Sequence, residues 1–302
     1  MVLGLPCVED YLAGNGPYFG AIVGRYANRI ANAAFVLDGV EHRLSANDGG
    51  NCLHGGRTGF DRHVWEIVKG GACDGAAAVV LRHTSPDGDE GFPGWLTAEV
   101  TYTVSSDTLR IDFHAETDRP TVVNLTSHLY WNLSGEGSGS IEDHVLRLAA
   151  THYVPVDDEL IPLGEAAPVA GTPLDFTWPA AIGSRIRDPF DQLAVAHGYD
   201  HHFVLDHGDT RLLEPVAQLD DPRSGRRLEV STTEPGIQVY SGNHLDGTLA
   251  GPSGRLYRQG DGIALETQHA PDSPNQPSFP STVVRPDRPY TSATAFRLSA
   301  PS

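Results

Sequence analysis

Strict alternation in the middle of the chain narrows the fold more than any other feature. Leu96, Ala98, Val100, Tyr102 and Val104 alternate with Thr97, Glu99, Thr101 and Thr103. After Ser105-Ser106-Asp107 the pattern resumes, with Leu109, Ile111, Phe113 and Ala115 set against Arg110, Asp112 and His114. A period of two sends successive side chains to opposite faces of a pleated strand. The segment therefore reads as two half-buried antiparallel strands joined by a tight turn. The same pattern recurs earlier, where Phe35-Val36-Leu37 and residues 40–44 flank Asp38-Gly39. That dipeptide accepts the left-handed φ values of a type I′ hairpin turn. Further strands are expected at residues 63–68, 77–83, 121–133, 200–205, 227–232, 237–242, 262–267 and 292–298. Helical periodicity is confined to residues 8–13 and 191–197. Gly 33 and Pro 22 supply many turns, so the chain is expected to form one all-β antiparallel sandwich domain over residues 1–302. Residues 134–140 and 271–280, rich in Gly and Ser or in Pro, are expected as long loops around a site.

Charge excludes several classes of partner. With 21 Lys+Arg against 39 Asp+Glu the net charge is −18, which repels phosphate backbones and anionic lipid surfaces. No nucleic acid and no membrane are expected, whereas a neutral sugar meets no such barrier. No apolar run has the length of a membrane span. The three cysteines, Cys7, Cys52 and Cys73, form no CxxC pair. A disulfide framework and a cysteine zinc site are thus disfavoured. The opening residues lack a basic, apolar leader, with Glu9 and Asp10 interrupting them, and a reducing, cytoplasmic setting is expected.

Several polar residues stand in strand-like text or beside glycines. Arg29, after Asn28, carries a planar fork suited to paired hydroxyls, although this segment by itself favours a structural arginine bridging loops. His54 precedes Gly55 and Gly56, where backbone can approach a ligand closely, or where a histidine serves the loop alone. His128 lies in the aromatic stretch NLTSHLYWN, residues 124–132. It titrates near neutrality and can give or take a proton, and a satisfied core histidine is the competing interpretation. Tyr130 offers a ring face to a sugar or to the core. In GYDHHF, residues 198–203, His201 and His202 point to opposite faces of a strand and cannot readily share an ion; Asp200 is at least as plausible as a hydroxyl acceptor. Gln238 and Tyr240 share one strand face and could line a pocket. Finally, apolar text runs straight into Glu266. A buried carboxylate is costly unless it is paired or functional, and burial raises its pKa towards that of a general base.

Taken in order, seven blocks of the chain resemble the aldose 1-epimerase (galactose mutarotase) family: PYFGAIVGRYANRI (17–30), NCLHGGRTGFDRHVW (51–65), SPDGDEGFPG (85–94), NLTSHLYWNLSG (124–135), GYDHHF (198–203), EPGIQVYSGNHLDG (234–247) and ETQHAPDSPNQPSFP (266–280). The resemblance implies a large β-sandwich of the supersandwich kind, with no metal and no organic cofactor. It implies that Glu266 is the general base and His128 the general acid. It places Asn28, Arg29, His54, Tyr130, Asp200 and Gln238 among the sugar-binding residues. The expected partner is a single free monosaccharide such as galactose or glucose, bound by a monomer or homodimer. Two departures accompany it. The resemblance begins at Val2-Leu3-Gly4, so the first N-terminal strands of the family are expected to be lacking and a sheet edge to be uncovered. Ser127 and Trp131 stand where the family more often has Asn and Phe, which bears on substrate fit.

Two other functions remain open on the residues alone. A glycoside hydrolase or lyase on a related sandwich would use Glu266 and Asp200 as paired carboxylates. A non-catalytic sugar-binding module would need neither Glu266 nor His128. An epimerase acting on a phosphorylated sugar would require basic residues at the pocket mouth.

Overall fold

The computed structural model describes residues 1–208 and 212–301, with the side chain of residue 73 outside that description. Two large antiparallel sheets dominate it. The first has nine strands in the order Ala180–Ala181, Val145–Leu148, Glu214–Asp220, Arg227–Thr232, Tyr290–Ser299, Thr108–Thr117, Leu96–Val104, Ala76–Ser85 and Glu66–Cys73. The second has six, in the order Tyr130–Trp131, Ile263–Gln268, Gly236–Tyr240, Asp200–Val204, His152–Val154 and Ala167–Pro168.

The alternating segment forms the hairpin that its pattern demands, with Leu96 opposite Thr117 and Val104 opposite Leu109. Leu96, Ala98, Val100, Ile111, Phe113 and Ala115 are buried, while the intervening residues stay partly in water. Their apolar faces meet Phe203, Ile237, Val239, Ile263 and Leu265 of the six-stranded sheet in one continuous core. Each such large side chain contributes about 1.5–3 kcal/mol on burial. The Ala34–Leu37 and Val40–Arg43 hairpin turns through Asp38 at φ 49° and Gly39 at φ 82°, as a type I′ turn requires. The short helices occur at Val8–Ala13 and Asp191–Ala196.

Two expected strands differ in the structure. Residues 121–133 are not one strand but three two-residue pieces, Thr121–Val122, Thr126–Ser127 and Tyr130–Trp131. The pieces pair with different partners: Thr126–Ser127 with Ile22–Val23, and Tyr130–Trp131 with Ile263 and Ala264. The chain therefore turns a corner between them, and His128 sits in it. Residues 63–65 precede rather than belong to the strand that starts at Glu66, because Trp65 donates to the Phe60 carbonyl at 3.1 Å and holds that approach as a loop. Glu214–Asp220 escaped the alternation pattern because Pro215 and a register shift between Pro215 and Ala217 break its period. At the free edge of the six-stranded sheet, Leu3 donates to the Tyr130 carbonyl at 3.0 Å, and Asn132 donates to that of Met1 at 2.8 Å. Among the described residues no helix is long and apolar enough to cross a membrane.

Candidate active site

A cavity of about 510 Å³ opens over the face of the six-stranded sheet near its Tyr130 edge. Its size suits one small molecule. Asn28, Arg29, His54, His128, Tyr130, Asp200 and Glu266 all line it, together with Tyr18, Arg62, Tyr240 and His244.

Strand register explains the floor. Gln238 stands opposite Glu266, Tyr240 opposite both Asp200 and Ala264, and Ala264 opposite Tyr130. Opposed residues share a face, so Tyr130, Glu266, Tyr240 and Asp200 emerge on the same side. Both central strands are buried along their whole length, and Glu266 is only 2% exposed. Burial, with the Asp200 carboxylate nearby, pushes its pKa well above the usual carboxylate range, while Arg29 pulls the other way.

The corner at residues 127–129 then brings His128 above this floor. Its backbone is clamped to the 20–21 loop by His128 N to Ala21 O at 2.9 Å and Gly20 N to His128 O at 3.0 Å. Nε2 of His128 lies 3.6 Å from Glu266 Oε1. Burial lowers the His128 pKa to about 4. It opposes the charged form of both partners, which favours a proton on the Glu266 carboxyl beside a neutral His128. Moving that proton from one to the other interchanges an acid and a base.

Two interlocked loops supply the roof. Asn28 and His54 both occupy left-handed backbone, at φ 65° and 52°. His54 N donates to Asn28 O at 3.1 Å, and Asn28 N donates to His54 Nδ1 at 3.1 Å. An accepting Nδ1 leaves the proton on Nε2, so His54 is a fixed neutral donor. Burial, with His128 and Arg29 nearby, holds its pKa well below the ordinary value. The close approach depends on Gly55, where a Cβ would lie 2.0 Å from the Gly24 carbonyl oxygen and φ is +90°. Gly55→Ala is accordingly expected to cost about 3 kcal/mol or more, through strain and a forced backbone shift. Denaturant unfolding at neutral pH would reveal it, and a loss below 1 kcal/mol would show that the loop yields.

The remaining polar groups are pre-positioned. Arg29 Nε donates to Asp48 Oδ2 at 2.8 Å, which leaves the end of its guanidinium to face the cavity. Asp200 Oδ1 accepts from Gln238 Nε2 at 2.7 Å. Gln238 is buried on this same face, one pair further along the strands, and is not part of the cavity wall. Tyr130 donates its hydroxyl to Pro17 O at 2.9 Å and presents its ring, 4.9 Å from that of His128. Tyr18, which the sequence reading did not single out, packs edge-on against His54 at 4.6 Å and faces His128 at 5.9 Å. An aromatic residue in a loop between Pro17 and Gly20 was the available clue. His201, by contrast, points away from the cavity and accepts from Asp200 N at 3.2 Å.

His54, His128 and Glu266 bring ligand atoms within 4.8 Å of one another, but with Nδ1 of His54 accepting and Nε2 protonated that ring offers no lone pair to an ion. Two cations, Arg29 and Arg62, face three carboxylates, Asp200, Asp246 and Glu266, across this cavity. That balance suits a neutral polyhydroxyl ligand better than a phosphorylated one.

Residues 1–297 match the family model described as aldose 1-epimerase. The chain is 44% identical over 301 residues to galactose mutarotase of Mus musculus, covering 99% of this chain and 84% of that protein. It is 40% identical over 298 residues to aldose 1-epimerase of Escherichia coli strain K12, covering 97% and 82%. The crystal structure of galactose 1-epimerase from Lactobacillus acidophilus NCFM is similar over 100% of this chain and 86% of that one, with a TM-score of 0.88 at 30% identity.

Proposed function

The chain belongs to the aldose 1-epimerase family, and from this premise we propose that it interconverts the α and β anomers of a free hexose by acid–base ring opening, with Glu266 and His128 as the catalytic pair. The observation that carries the assignment is the 3.6 Å approach of His128 Nε2 to Glu266 Oε1 at the buried floor of the cavity.

Ring opening removes the proton from the C1 hydroxyl and delivers one to the ring oxygen. Glu266 as carboxylate accepts the first, and protonated His128 supplies the second. The C1–ring-oxygen bond breaks and C1 becomes an aldehyde. Rotation about the C1–C2 bond presents the opposite carbonyl face. The C5 hydroxyl then attacks C1, its proton returns to His128, and Glu266 protonates the carbonyl oxygen. The enzyme ends in its starting state, and no atom is gained or lost. Each placed proton-transfer group typically contributes about 10²–10⁴-fold. His54 Nε2–H is aimed to stabilise charge growing on the ring oxygen. Asp200, Arg29 and Asn28 provide hydroxyl partners, and Tyr18, Tyr130 and Tyr240 provide ring faces for the C–H surface of the sugar.

Galactose and glucose are the proposed substrates, supported by the acidic balance of the cavity and by the names of the relatives. The whole of residues 1–302 is proposed to act as one unit, because both large sheets share a core. A cytoplasmic monomer or homodimer fits the free thiols of Cys7 and Cys52.

Polarimetry on freshly dissolved α-D-galactose and α-D-glucose tests the function. Equilibration well above the buffer rate is expected with at least one sugar. No acceleration by a folded, monodisperse sample would sink the free-sugar assignment.

A further inference from the structure

A second cluster of metal-binding side chains lies outside the cavity, where the Glu66–Cys73 and Ala76–Ser85 strands meet the 85–94 loop. His63, His83 and Asp89 bring one ligand atom each to within 4.8 Å of the others. The two imidazoles stack with centroids 4.5 Å apart at 26°. His83 is 9% exposed, and its Nε2 is buried with no hydrogen-bond partner among the described residues. Such a group is costly unless something binds it. Phe60 and Trp65 pack around the same ring at 4.9 and 5.4 Å.

The third ligand is held in place. Asp89 Oδ2 accepts from Ser85 Oγ at 2.6 Å, and Ser85 Oγ in turn accepts from Arg25 Nη2 at 2.5 Å. The other carboxylate oxygen is left for a cation. Two imidazoles and a carboxylate suit Zn²⁺, with a water in the fourth position. Zinc bonds of about 2.0–2.1 Å in tetrahedral geometry place ligand atoms roughly 3.3–3.5 Å apart. Closing the site requires the two stacked rings to turn so that a lone pair of each points at the same ion.

We propose that His63, His83 and Asp89 form a Zn²⁺ site that staples the loop after His54 to the body of the nine-stranded sheet. The connection to the cavity is structural. Glu90, next to Asp89, already accepts from Arg57 N at 2.9 Å and Thr58 N at 3.1 Å. His63 Nε2 lies 3.2 Å from the Thr58 carbonyl. An ion here would tie both ends of residues 57–63 to the sheet, a segment that follows His54 directly and carries Arg62 into the cavity wall.

Isothermal titration of chelator-treated protein with Zn²⁺ alone tests the site, run on the wild type and on Glu266→Gln, which disables the His54, His128 and Glu266 cluster. One ion per chain is expected in both. His63→Gln and His83→Gln should each weaken binding roughly 100-fold or more, since losing even a supporting partner of a ligand costs about 10–100-fold. His63 is only half-buried, so its variant keeps the test readable if His83→Gln misfolds. Zn²⁺ should raise the Tm of the wild type and leave that of His63→Gln unmoved. The proposal is overturned by an absence of saturable binding, by binding indifferent to His63→Gln, or by binding abolished in Glu266→Gln.

Discussion

Glu266→Gln is expected to lower the rate of anomer exchange by about 10³-fold or more while leaving the protein as stable as before, or more stable. The rate term follows from the role of the carboxylate. Gln preserves shape and can still touch the C1 hydroxyl, but it cannot accept the proton, so a general-base contribution of about 10²–10⁴-fold disappears. His128 then has no partner with which to exchange acid and base roles, and part of its own contribution goes as well. Stability moves the other way. Glu266 is 2% exposed, and its Oε2 has no hydrogen-bond partner among the described residues. Burial raises its pKa, which means that the fold disfavours the ionised form that catalysis uses. A neutral amide removes that cost. Polarimetric rates and thermal melts at pH 7.5 would measure both. A variant within tenfold of the wild type would move the base elsewhere, with Asp200 next in line. A large fall in Tm would instead mean that the carboxylate supports the fold. His128→Asn is expected to lose a comparable share of the rate, because its amide carries no proton to deliver.

The second large effect is acid lability. Between pH 6.5 and 5 the protein should lose up to about 1.6 kcal/mol of stability for each histidine held neutral in the fold, against a typical total of about 5–15 kcal/mol. Burial lowers the pKa of His83 and His201 to about 4 and of His202 to about 3, and lowers those of His54, His128 and His144 as well. Geometry enforces neutrality at three of these. Backbone N–H groups donate to His54 Nδ1, His144 Nε2 and His201 Nδ1, and a ring nitrogen that accepts cannot also bear a proton. In the unfolded chain each histidine takes up its proton near pH 6.5. The unfolded state therefore binds more protons below that pH, and stability falls as pH falls. Glu266 and Asp200 act in the opposite sense. Burial raises both, so the native state takes their protons first, which offsets part of the histidine effect. Each histidine held neutral contributes at most about 1.4 kcal/mol per pH unit. Urea unfolding at pH 7.5, 6 and 5 would trace the slope. His201→Asn, whose Oδ1 can accept from Asp200 N without titrating, should make it shallower by about one histidine's share. A flat profile would show that protons reach these rings in the native state.

Much of the scaffold was legible because strand periodicity and turn chemistry are local properties. The run from Leu96 to Ala115 needs no partner to declare its two faces, and Asp38-Gly39 carries its turn type in its own backbone preferences. Glu266 was visible for a related reason, as an ionisable residue closing an apolar strand. Arg25 and Arg29 could not be told apart in this way. Three residues separate them in one segment, yet Arg25 is buried and bonds Ser85, Pro86, Pro93 and Gly94, while Arg29 turns to the cavity. His128 was read within a continuous strand, but it occupies a corner created when its neighbours pair with Ile22–Val23 on one side and Ile263–Gln268 on the other.

The sequence alone thus determined an antiparallel sandwich, its principal hairpins and, through ordered blocks, the chemistry to expect. Only the tertiary structure decided that Asn28, His54, His128, Asp200 and Glu266 converge on one cavity, and that Gln238 bonds Asp200 without lining it. Local pattern specifies which face of a strand is apolar; which strands become neighbours, and hence which polar groups meet, depends on pairing and packing between segments far apart in the chain.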